Sequence, residues 1–401
     1  MSLLTIEEPL APASAVRGLF KPDHPLWRLG FRPFYLLAAL LAALAVPLWA
    51  AHYLGWIGGA RLDLGWHMHE MVFGVAIAVI VGFLFTAARA WTGLWTPRGG
   101  HLAALALVWI AGRVAMLAAP PLAAALVDLL FLPLAAWPLY RVLRRAGNTR
   151  NLFLPGLLCL LALANASFHA ARLGWLALPL MAPVEAAILV VVLMESVIGA
   201  RVIPMFTRNG APGSAPVVHP RRDNIALALT AGTVLGWIGG LPAPAFAGLA
   251  FAAACATAVR LAGWQPQRTL GVPLLWILHL SYAWIPVGFL LLALAAMGAV
   301  SNSAAFHALA AGSMGGLIIG MMTRTALGHT GRPLKAGKAE TAMFWLVQLG
   351  ALVRLCAALG PVALRPACLA GAALAWALAF ALYLTVYGPY LFKIRLDGKE
   401  G

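Results

Sequence analysis

Long apolar runs dominate this chain. A helix needs about 20 mostly apolar residues to cross hydrocarbon. Runs of that length fall near 34–55, 66–88, 101–119, 121–140, 151–171, 178–203, 224–242, 244–263, 271–296, 301–324, 341–360 and 366–390. They are too long and too continuously apolar for barrel strands, and helices satisfy their own backbone polar groups in lipid. Composition points the same way. Of 401 residues, 63% are hydrophobic and 10% charged, against roughly 25% charged in an ordinary soluble domain. So few charges cannot cover a soluble globule, and so much apolar surface excludes a disordered chain. The sequence predicts an all-α polytopic membrane protein of about twelve transmembrane helices. It divides into a polar segment at 1–33, one membrane domain at 34–390 and a tail at 391–401. No cleavable signal peptide is expected, because the first apolar run begins only near Phe34.

The formal charge of +16 at first suggests a nucleic-acid surface. Placed on the twelve spans, 23 of the 28 Lys and Arg residues fall on the side that holds both termini. Only Arg61, Arg113, Arg172, Arg354 and Arg365 fall on the other. This asymmetry is the positive-inside pattern and predicts cytoplasmic termini. Orientation accounts for the charge, and no nucleic-acid partner is needed. Cys159, Cys255, Cys356 and Cys368 stand singly in apolar stretches, without the spacing of a zinc module or a disulfide framework.

An internal repeat is visible. Arg28, Arg150 and Arg268 each precede a proline by five residues (Pro33, Pro155, Pro273), at spacings of 122 and 118 residues. Each pair opens the first, fifth or ninth span. Counted from His69, Gly74, Gly82, Thr92 and Gly93 fall at +5, +13, +23 and +24; Gly312, Gly320, Thr330 and Gly331 fall at the same offsets from His307. The sixth span matches more weakly, with Gly199 and Gly210 counted from Ala186. Three tandem four-helix units, near 28–147, 150–265 and 268–390, are the expectation. Close helix contact is the simpler role of most glycines in such spans. A three-by-four arrangement of twelve helices resembles the catalytic subunit of haem-copper oxidases and nitric oxide reductases, a likeness of fold that does not carry function.

The histidines supply the candidate site. His67, His69, His169 and His307 fall near the outer ends of spans two, five and ten, and His279 lies in the inner half of span nine. Imidazole is the commonest ligand for haem iron and copper, and ionisable groups inside a bilayer are functional suspects. His69 and His307 occupy equivalent repeat positions at similar depth, so they are the expected axial ligands of one haem. His67 and His69 point about 200° apart on a helix, which suggests separate roles. Glu70 either orients a histidine or favours a helix N-terminus. Glu185 and Glu195 of span six are candidates to carry protons or to ligate a non-haem metal, with pairing to an interior arginine such as Arg113 as the structural alternative. Arg113 is also a candidate for cofactor binding. Arg172 either clamps a haem propionate or snorkels to the interface. Met321 and Met322 suit packing better than copper ligation. A second metal site is expected from among His67, His169 and His279.

Several stretches together resemble the NnrS family of haem- and copper-containing bacterial membrane proteins linked to nitric oxide stress. They are Gly30-Phe31-Arg32-Pro33-Phe34, GWHMHEMVFG at 65–74, the His169 region and RVIPMFTRNG at 201–210. His279 with Tyr282 and Trp284, and HALAAGSMGGLIIGMMTRTALGHTGRPL at 307–334, complete the set. The resemblance implies haem b, copper, an inner-membrane location and a role in resistance to nitric oxide. Its matching positions are His67, His69, His169, His279, His307 and His329, with Glu70, Arg201 and Arg324 beside them. The expected function is binding of nitric oxide, and its reduction if the protein is an enzyme. Electrons would then come from quinol or a periplasmic donor. The alternatives are a non-catalytic haem sensor or scavenger, and a transporter of a nitrosyl or metal species; the tandem same-orientation repeat speaks against the transporter.

Overall fold

The computed structural model describes residues 18, 21, 23–59 and 61–399. Arg17 and most of the polar segment expected at 1–33 lie outside the described residues. Every regular element among those described is helical. The long helices run in chain order. The first six are α1 (Phe31–Tyr53), α2 (Leu64–Thr92), α3 (Gly100–Ala118), α4 (Pro121–Arg145), α5 (Phe153–Arg172) and α6 (Ala182–Gly210). They continue with α7 (Pro220–Ile238), α8 (Ala243–Ala262), α9 (Pro273–Ala296), α10 (Asn302–His329), α11 (Lys338–Leu359) and α12 (Arg365–Phe392). Eleven are long and apolar enough to cross a membrane, and the chain is a multi-pass membrane protein. The twelve expected spans are all helices, but α7 falls short in composition because Arg221, Arg222 and Asp223 occupy its first turn.

Consecutive helices pack on one another, and α12 returns onto α1. In the middle α2, α6 and α10 meet. Some 78% of the apolar window is buried in both α2 and α10, against at most 67% in any other span. These two helices form the interior of the bundle, and they share a distortion. In α2 a six-residue α segment ends at His69, a π-helical stretch covers Glu70–Ala76, and α-helix resumes at Ile77. In α10 the α segment ends at His307, the π stretch covers Ala308–Met314, and α-helix resumes at Gly315. Such widened turns concentrate at functional sites. The long helix α6 has none.

Glycine permits the close approaches around both π segments. A Cβ on Gly74 would press on Leu41 and on the Arg113 and Glu70 side chains, and one on Gly312 would overlap the Trp284 ring. The Gly74 carbonyl accepts a hydrogen bond from Trp109 Nε1 at 3.2 Å.

The start of α1 and the end of α12 meet at one end of the bundle. Arg32 is fully buried, and its Nη1 donates to the Leu391 and Lys393 carbonyls at 2.9 and 2.8 Å. Phe31 N donates to Thr86 Oγ1 at 3.1 Å. The tail folds back, with Leu396 N on the Thr330 carbonyl at 3.1 Å. Arg395 pairs there with Asp397 at 2.6 Å and holds its carboxyl well below the usual carboxylate range. The opposite end carries the α1–α2 and α9–α10 loops, and the candidate site lies one to two turns beneath it.

Candidate functional site

Two groups of side chains hang from the distorted helices. The first is a buried polar cluster around His69. Its Nδ1 faces Glu70 Oε1 at 3.1 Å; its Nε2 faces Asp128 Oδ2 at 3.2 Å and Asn165 Oδ1 at 2.9 Å. His169 Nε2 reaches the same Asp128 oxygen at 3.0 Å, and Asn165 Nδ2 donates to it at 2.7 Å. Arg113 donates to both Glu70 oxygens at 3.1 and 3.2 Å and pairs closely with Asp128 Oδ1. Asp128 is positioned by a break in α4, where a short helix ends and another begins at Phe131. All these side chains are buried. Two carboxylates and one guanidinium leave one negative charge to offset, by a proton on His69 or by a bound cation. The ligand atoms of His69, Asp128 and His169 lie within 4.8 Å of one another. Two imidazoles and a carboxylate suit a divalent ion such as copper or zinc. Glu70 stands behind His69 Nδ1, as a supporting carboxylate does behind a metal-bound histidine.

The second group lines a cavity of about 610 Å³ between α1, α2, α6, α10, α11 and α12. His67 and His307 both face it, with Glu185, Arg354 and Arg365; the other walls are mostly apolar. His67 stacks on Trp49 with ring centroids 4.0 Å apart, and its Nδ1 is buried without a hydrogen-bond partner. His307 Nδ1 donates to the Ser303 carbonyl at 2.7 Å. That bond fixes the tautomer and leaves the Nε2 lone pair free to coordinate. Arg354 Nη2 donates to Ser303 Oγ at 3.2 Å, so the arginine and the histidine share one serine.

A smaller cavity of about 110 Å³ adjoins the large one, with Met314 and Ile318 in the walls of both. Its one ionisable lining residue is Glu195, which accepts a hydrogen bond from Ser313 Oγ at 2.8 Å. Ser313 belongs to the π segment that follows His307.

The structure sorts the sequence candidates accordingly. His69 and His307, the expected axial pair, fall in different groups: His69 joins His169, and His307 shares the cavity with His67. Arg113 pairs with Glu70 and Asp128 rather than with Glu185 or Glu195. Arg172 holds Asp63 at 2.8 Å, where Asp63 also caps α2 through Trp66 N at 2.7 Å. Neither Arg113 nor Arg172 lines the large cavity. His279 lies apart, bonded through Nε2 to Thr207 at 2.8 Å. His329 sits at the terminal end against the Phe31 ring, centroids 5.7 Å apart. Asp128, Asn165, Arg354 and Arg365 were missed as site residues. The signal for three of them was present: Arg354 and Arg365 belong to the five minority arginines, and Asp128 is an acid within an apolar run.

Compared with known protein families, residues 25–395 match the family described as NnrS protein. Among curated proteins, none matches the chain. The family match spans nearly the whole chain, both cavities and the polar cluster included. The chain belongs to the NnrS family, membrane proteins related to nitric oxide stress.

Proposed function

We propose that this protein binds haem b in the large cavity through His67 and His307, holds copper at the His69–Asp128–His169 group, and binds and reduces nitric oxide. The observation that carries the reading is the pair of cavity-facing histidines, one from each distorted inner helix. The residues present fit the group. The volume lies within the range of cofactor pockets. His67 Nδ1 is an unanswered buried ligand atom, and His307 is fixed with Nε2 free. Arg354 and Arg365 line the cavity, among the described residues no carboxylate pairs with either, and they can answer the two propionates. When bound, haem iron supplies a redox-active site for nitric oxide.

The chain's own groups supply the rest. Reduction of two molecules of nitric oxide to nitrous oxide and water consumes two electrons and two protons. Glu185 lines the large cavity and Glu195 the small one, so their carboxyls are placed to hold those protons. The electron donor is a quinol or a soluble carrier on the outer side. The basic end with both termini faces the cytoplasm of a bacterial inner membrane, which puts the large cavity toward the periplasm.

The test starts from purified protein. His67→Ala and His307→Ala each lose haem or convert its absorption and EPR spectra, whereas His69→Ala keeps the haem spectrum. Unchanged spectra in both cavity variants sink the assignment. Reduced protein in a nitric oxide electrode then gives multiple turnovers. Consumption that stops at one equivalent per haem identifies a scavenger or sensor instead of an enzyme.

A further inference from the structure

The small cavity stands apart from the polar chemistry around it. It holds about 110 Å³ beside α2, α6, α9 and α10 and is part open at the bundle surface, where Phe83, Ile198 and Val202 are half-buried. Val79, Phe83, Val191, Ile198 and Leu317 are among its walls. Its single carboxyl already has Ser313 as partner. A water needs two to four polar contacts, and apolar cavities of this size stay dry and take small apolar molecules such as xenon. The cavity also leads somewhere. Met314 and Ile318 form a common wall with the 610 Å³ cavity that holds His67 and His307. Methionine is the most adaptable of apolar side chains, so a rotamer change at Met314 joins the two spaces.

We propose that the small cavity is a holding site for a small uncharged gas, which reaches the histidine cavity from it past Met314 and Ile318. The inference rests on the reading of the large cavity as a haem site for nitric oxide, and it gives that site its substrate route. Nitric oxide is an uncharged diatomic that the apolar walls accept, whereas water finds only the Glu195 carboxyl there and anions find no donor. The carboxyl of Glu195 then lies beside the route and not across it.

Two measurements decide this, one of them without haem. Crystals of the full chain pressurised with xenon show an anomalous peak between Val191, Ile198 and Leu317, and Ile198→Phe, which fills the space, abolishes it. No peak in the unaltered protein overturns the proposal, whatever the haem content. In the reduced haem protein, carbon monoxide is the kinetic probe. Ile198→Phe and Val191→Phe slow its association after flash photolysis by roughly tenfold with the absorption spectrum unchanged. Ile198→Ala, which enlarges the space, leaves the rate equal or higher, and it serves if the larger side chains prevent folding. Association rates that ignore all three substitutions overturn the route. Absence of haem with xenon still in place refutes the proposed function and leaves the holding site standing.

Discussion

Arg113 and Arg172 are both arginines paired with carboxylates, and their surroundings give them different weights. Arg113 is buried with Glu70 and Asp128 in the membrane interior. Removing it strands two carboxylates in a medium of low dielectric, and breaking such a buried set typically costs about 3–5 kcal/mol. Arg113→Ala is expected to lower the detergent melting temperature sharply. The Arg172–Asp63 pair is 24% and 45% exposed, so solvent screens it and Arg172→Ala costs less than about 1 kcal/mol. A common melting shift for the two variants contradicts this ordering. The metal assignment is decided by elemental analysis. Asp128→Asn and His169→Ala are each expected to lose one equivalent of copper while keeping haem, and copper retained in both removes it from this cluster. At this scale the sequence showed which ionisable residues lie within the spans better than how they pair. The histidines near one membrane depth were visible because ionisable groups are rare in apolar runs. The pairing was not, because it depends on what the neighbouring helices present: Asp128 and Asn165 meet His69, whereas His307 meets only its own helix at Ser303.

The π segments carry the argument at the level of elements. An α-helix turns about 100° per residue, and a π stretch inserts an extra residue into that count. Side chains on either side of it therefore fall on faces that helical periodicity does not assign. This is why hydropathy located α2 and α10 within a few residues and gave no hint of their distortion. It also makes a prediction. Deleting Ala310 removes the extra residue and tightens the widened turn beside His307 to ordinary α-helix, with the flanking segments left in phase. Helix content by circular dichroism is expected to stay unchanged while the haem spectrum is lost; a retained spectrum means that the widened turn does not set the ligand. The shared offsets of Gly74 and Gly312 were legible, and the structure gives each a physical use in a close approach to Arg113 and Trp284. The seventh run, expected near 224–242, begins as a helix four residues earlier, at Pro220, and so takes Arg221, Arg222 and Asp223 into its first turn.

For the whole molecule, burial orders the helices. α2 and α10 lie inside, α12 returns onto α1, and the start of α1 and the end of α12 share one face. Orientation is tested with single cysteines in a chain whose four native cysteines are replaced. Lys399→Cys should resist a membrane-impermeant maleimide in spheroplasts until the membrane is opened, and Gly58→Cys should react at once. The reverse labelling inverts the topology and moves the large cavity to the cytoplasmic side. The carbonyls that receive Arg32 tie the start of the first helix to the end of the last, 359 and 361 residues apart in the chain. That bond forms only when α12 has docked on α1, so it works as a clasp that shuts the bundle once its helices have been assembled.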